Sequence, residues 1–211
     1  MSEELLNHPH AKTIWDKLMS HFNNKYGVAA LMGNLQAESG LYPDRVQGDV
    51  PYSTYSMDYT ADVDSGYIAE YDFVHNGPNG GGYGLAQWTY YTRKQGLYSK
   101  WKTGGYHSIG SVDLACDFLC EELSSDYKTV YNAIKNATNI KTPSDAVLHD
   151  FERPADQSES VENLRASMGE EIYSTFSGSS PSTPSDPDNP TIPTKRKGMP
   201  KLLLYAIATD I

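Results

Sequence analysis

The 211-residue chain is poor in several features, and each shortage excludes something. Two cysteines cannot build the disulfide framework on which small secreted domains depend. No run of 18 or more apolar residues exists, so no segment reads as a membrane-spanning helix. The opening residues Met1-Ser2-Glu3-Glu4-Leu5-Leu6-Asn7 lack the basic-then-apolar pattern of a secretory leader. That predicts a protein made in a cytoplasm that reaches any outside target by another route, such as lysis or carriage on a particle. Bases are also scarce: 17 Lys and Arg stand against 27 Asp and Glu, for a net charge of −10. The stretch from Gly178 onward holds four bases and three acids, so the preceding body is more acidic still. Such a body is no general nucleic-acid binder, because neutralising phosphates requires a basic surface. It would also grip an anionic polymer poorly, so long-range attachment is expected from elsewhere. No repeat of 20 to 50 residues is visible, which excludes a solenoid.

Metal and cofactor chemistry find little support. Cys116 and Cys120 lie four residues apart in an apolar helical pattern, where the backbone holds them badly for a disulfide. They are expected to pack as small hydrophobes, and no neighbouring His or Cys set completes a metal site. A cysteine-nucleophile reading pairing Cys116 with His107 fails because that helix face offers no exposed, electropositive setting. The glycines at 80–84 are not a phosphate loop, since no Gly-Lys-Ser/Thr follows them. No cofactor and no metal are predicted.

What is present is helical periodicity with one irregular interval. Ile14, Trp15, Leu18 and Phe22 share one helix face, and Gly27 separates that helix from the next. Helices are also predicted from about Thr89 to Trp101 and near 111–124, 127–137, 143–151 and 159–176. From Leu41 to Gly82 periodicity weakens, Pro, Gly, Asp and Tyr abound, and short extended pieces such as residues 52–57 are expected. From Ser177 composition shifts: Pro181, Pro184, Pro187, Pro190 and Pro193 recur at the three-residue polyproline period. The predicted organisation is a domain at 1–176, a linker at 177–194, and a short basic-apolar tail at 195–211. That tail reads as a docking strand or the truncated start of another module, with a membrane-surface patch as the alternative.

The most informative segment is Val28 to Leu41. Val28, Leu31, Met32 and Leu35 recur at i, i+3, i+4 and i+7, and Glu38 extends that stripe to the end of the helix. Ser39-Gly40 then stops it, with Gly40 suited to a left-handed cap. A carboxyl there loses water on one side and faces the negative end of the helix dipole. Both effects favour its neutral form, as a general acid near neutral pH requires.

Three blocks together resemble the phage tail lysozyme family of the lysozyme-like superfamily, related to goose-type lysozymes and lytic transglycosylases. They are Gly33 to Gly40 (GNLQAESG), Tyr83 to Trp88 (YGLAQW) and Phe151 to Asp156 (FERPAD), with Arg165 to Tyr173 as a fourth. The resemblance implies an α+β, mostly helical, lysozyme-like fold with a small irregular β lobe facing the catalytic helix. It implies a glycoside hydrolase that cuts a β-1,4 bond of bacterial peptidoglycan, as a tail-associated lysin or endolysin module. Such a protein is made in the host cytoplasm and acts on the wall. Glu38 takes the place of the catalytic glutamate, and Tyr83, Gln87 and Trp88 are expected to line the saccharide cleft. The second carboxylate is open among Asp44, Asp49, Asp58, Asp62, Asp64 and Asp72, with Asp64 preferred because residues 59–66 look most like a family block. Thr89 departs from the goose-type pattern, and a transglycosylase would need no second acid. Arg153 is expected to tie the C-terminal helices to the core, and the tail to reach other tail proteins. The rival reading is a non-catalytic wall-binding or tail-structural module of the same fold.

Overall fold

The computed structural model describes residues 2–49, 51–78 and 81–178. The expected linker and tail from residue 179 onward lie outside the described residues. Residues Met1–Gly178 form one compact unit. Its helices are α1 (Glu3–Leu6), α2 (Ala11–Phe22), α3 (Lys25–Ser39), α4 (Thr54–Ser65), α5 (Tyr91–Gly104), α6 (Val112–Ser125), α7 (Lys128–Lys135), α8 (Lys141–Ala146) and α9 (Glu159–Phe176). Two π-helical turns, Asp72–Asn76 and Val147–Glu152, interrupt the pattern. No described helix is long and apolar enough to cross a membrane.

α3 is buried almost all round, which places it at the centre of the fold. The Asn24 side chain caps its start by accepting the Gly27 amide, and Asn23 leaves α2 in the left-handed conformation. At its far end Gly40 adopts φ +64° and returns its amide to the Gln36 carbonyl, while Ser39 Oγ donates to the Leu35 carbonyl. The principal packing partner of α3 is α9. At that crossing a Cβ on Gly33 would sit 2.6 Å from both the Arg165 carbonyl oxygen and the Gly169 amide nitrogen. Glycine at 33 therefore sets how closely the two backbones approach.

The irregular interval corrects the expectation of a β lobe. Residues 54–65 form the helix α4, and paired backbone is confined among the described residues to the isolated bridges Val46–Tyr83 and Tyr83–Trp88. Ser53 caps α4, and Asp49 locks that cap by accepting from the backbone amides of Ser53 and Ser56 and from both hydroxyls. Its buried face is Ser56, Tyr59, Thr60 and Val63, a helical i, i+3, i+4, i+7 set. Two of those four, Ser56 and Thr60, are short aliphatic hydroxyl residues that add little apolar signal and are buried with partners. Ser56 bonds Asp49 and the Val46 amide, and Thr60 bonds Tyr83 Oη at 2.7 Å.

Candidate active site

Glu38 sits in the last turn of α3 with its side chain 10% exposed. Arg165 on α9 donates Nη2–H to Glu38 Oε1 at 2.5 Å, and its Nη1 reaches Asn34 Oδ1 at 3.3 Å. Asn34 is fixed in turn, since its Nδ2 donates to the Ala30 carbonyl and to the carbonyl and Oγ of Ser144. Arg165, Asn34 and Ser144 are all buried. The tight crossing at Gly33 thus aims a guanidinium at the end of α3.

A second glutamate belongs to the same cluster. The π turn Val147–Glu152 packs on α3 and ends with Arg153 in the left-handed conformation. Glu152 Oε1 is buried and has no hydrogen-bond partner among the described residues. Burial, reinforced by the charge of Glu38, pushes its carboxyl well above the ordinary range, against the pull of Arg93 and Arg165. Arg93 on α5 is committed elsewhere: Nε and Nη2 form a forked pair with Glu122 on α6, at 2.5 and 2.8 Å. Its guanidinium also lies 4.6 Å from the centroid of the Phe151 ring. Trp88 Nε1 donates at 3.0 Å to Glu122 Oε2, the oxygen that also accepts from Arg93 Nη2. The YGLAQW and FERPAD blocks, distant in sequence, therefore meet through Glu122 and Arg93.

The rings expected to face sugar are placed differently. Tyr83 and Trp88 are both 0% exposed: Tyr83 packs against Phe73 and bonds Thr60, and Trp88 packs edge-on against Phe118. Gln87, at φ +46°, spends its amide on the carbonyls of Arg45 and Gly84, tying its turn to residues 45–47. In this arrangement the three hold the loop together; Tyr83 and Trp88 present no face to a ligand, whereas Gln87 is half-buried. Exposed rings lie close by: Tyr71 and Tyr91 flank His75 at ring-centroid distances of 4.5 and 5.5 Å.

The aspartates divide by partner. Asp64 Oδ1 accepts the Ile109 amide at 2.8 Å and anchors the loop before α6 to α4. Asp49 is the cap lock, and Asp72 accepts from Asn76. Asp44 accepts from Tyr52 Oη at 2.7 Å, and its Oδ1 is buried without a partner among the described residues. Burial raises its carboxyl above the ordinary range. Arg153 does not tie helices to the core. It is exposed and bonds the Asp150 carbonyl, and the tie between α9 and α3 is Arg165. Arg165 and Glu152 were legible only as members of family blocks. Nothing local in the sequence pairs Glu38 with a base 127 residues away.

The chain matches no curated protein and no solved structure, but a family model described as phage tail lysozyme matches residues 9–176. That span takes in the whole Glu38 cluster, from α3 to the end of α9, and with it a lysozyme-like, cell-wall-lytic role is indicated. The chain belongs to the phage tail lysozyme family.

Proposed function

We propose that the protein cleaves a β-1,4 glycosidic bond in the glycan strands of bacterial peptidoglycan, with Glu38 as general acid. The observation that carries this reading is the placing of Glu38: a largely desolvated carboxyl at the capped end of the central helix, within the span matched by a lysozyme family. Glu38 gives its proton to the leaving glycosidic oxygen as the C–O bond breaks. In a hydrolase, water supplies hydroxide to the anomeric carbon and its remaining proton restores the carboxyl. In a transglycosylase, the 6-hydroxyl of the same sugar takes the place of that water. Asp64 is already engaged with the Ile109 amide, so no second carboxylate is assigned. The protein acts as a tail-associated lysin or endolysin module, and residues beyond 178 connect it to other tail proteins.

The non-catalytic reading draws on one observation, the Glu38–Arg165 pair, which would serve equally as a packing contact between α3 and α9. Mass spectrometry of soluble products from purified cell wall separates the two. Reducing muramic acid ends identify a muramidase, reducing glucosamine ends a glucosaminidase, and 1,6-anhydro ends a transglycosylase. Absence of any new glycan end supports the binding module.

A further inference from the structure

The rings expected to face sugar, Tyr83 and Trp88, are sealed in the core, yet the chain on either side of them carries open rings. Tyr71 and Tyr91 are 67% and 59% exposed, and His75 is exposed as well. Tyr71 precedes the π turn Asp72–Asn76, His75 lies on it, and Tyr91 opens α5, three residues after Trp88. The His75 ring is tilted 33° from Tyr71 at 4.5 Å and lies within 19° of parallel to Tyr91 at 5.5 Å. The three make one short stack. It is held in place by buried neighbours: Phe73 and Val74, between Tyr71 and His75, are in the core, and Phe73 packs against Tyr83 and Tyr98. Gly77 returns its amide to the Asp72 carbonyl at 2.7 Å, which closes the turn. Gln95 of α5 donates to Glu70 Oε1 at 2.7 Å and ties α5 to the chain before Tyr71. Singly exposed tyrosines need no explanation, but contiguous open rings point to a contact surface. Rings fixed before a ligand arrives also lose little freedom on binding it.

We propose that Tyr71, His75 and Tyr91 form a platform on which a glycan strand of the wall stacks, a binding subsite built by residues outside the Glu38 cluster. The inference deepens the reading of the protein as a wall glycosidase and rests on that reading for its ligand. A sugar ring presents a face of C–H groups and a rim of hydroxyls and amides. Aromatic faces cover the first, and tyrosine and histidine edges can hydrogen-bond the second. The exposed pairs Asp72–Asn76 and Glu70–Gln95, on and next to the same turn, add further polar groups at that rim. Charge favours this kind of contact. A protein of net charge −10 is repelled by an anionic polymer at long range, whereas stacking on neutral sugar needs no basic surface.

The test is binding by the full chain carrying Glu38→Gln, so that the wall stays uncut on the proposed reading. It is sedimented with purified peptidoglycan and titrated with glycan strands stripped of their peptides. Tyr71→Ala with Tyr91→Ala should weaken both interactions about tenfold. Unfolding should be unchanged, because both rings are exposed. Tyr71→Phe with Tyr91→Phe should keep the affinity, and so should Tyr67→Ala, which removes an open ring outside the stack. With Glu38 intact, the two alanines should raise KM for wall fragments and spare kcat. Unchanged binding by the alanine variant overturns the proposal, as does failure of the Glu38→Gln chain to bind wall at all. A loss seen with intact wall but not with peptide-free strands also overturns it, and makes the patch a peptide-docking surface. Full affinity in Tyr71→Leu with Tyr91→Leu overturns it too, since apolar bulk would then suffice. Absence of new glycan ends with wild-type protein overturns the Glu38 reading alone, because the binding loss is measured without turnover.

Discussion

Gly33 meets the Arg165 carbonyl at the crossing of α3 and α9, with room for a hydrogen and none for a methyl group. The same crossing delivers the Arg165 guanidinium to Glu38. Gly33→Ala must push the helices apart, because the atoms it meets are backbone and cannot rotate away. Overpacking of this kind costs about 1–3 kcal/mol. Denaturant unfolding should show that loss, and wall-degrading activity measured well below the melting temperature should fall as well.

Arg165→Met removes the charge that faces Glu38 while roughly keeping the bulk. Breaking a buried ion pair from one side costs about 3–5 kcal/mol when the remaining charge stays buried. Wall-degrading activity should fall as well, because the guanidinium that fixes the Glu38 side chain is gone. Thermal unfolding, with wall-degrading activity measured well below the melting temperature, checks both.

Much of the helical framework was legible in the sequence, for a physical reason. α2 and α6 bury apolar stripes and α3 is apolar and buried almost all round, and apolar patterning is what sequence displays most plainly. α4 was misread because its buried face includes Ser56 and Thr60, whose burial depends on Asp49 and Tyr83. Trp88 is expected in the cleft as a member of the family-like block Tyr83 to Trp88. Its indole N–H instead finds Glu122, 34 residues away, and the ring is drawn inward. Glu38 was visible as a carboxyl on a capped apolar helix. Arg165 and Glu152 were not, because their roles arise from long-range packing that leaves no local pattern.

The raised carboxyl of Glu152 has a consequence for stability. The folded protein holds this proton at pH values where the unfolded chain has released it. Stability from this group is therefore full below the ordinary carboxyl range and lost as pH rises towards the folded value. The loss approaches one proton's worth, about 1.4 kcal/mol per pH unit. Glu152→Gln should flatten the decline of unfolding free energy as pH rises above the ordinary carboxyl range, by up to that slope. Urea titrations across that range give the measurement.

Cys116 and Cys120 are buried, and burial raises both thiols, that of Cys120 to about 12. A thiol reagent at neutral pH should label neither at an appreciable rate in the folded protein, and both promptly in denaturant. Wall degradation should be the same with and without reductant.

Glu38→Gln tests the central claim most directly. The amide keeps the shape of the carboxyl and can hydrogen-bond, but it has no proton to give a leaving glycosidic oxygen. General acid catalysis contributes roughly 10²–10⁴-fold, about 3–5 kcal/mol of barrier. Release of new glycan ends from purified wall should therefore fall at least a hundredfold, with circular dichroism and wall binding preserved. Retention of more than a tenth of wild-type activity by a folded Glu38→Gln protein would contradict the account.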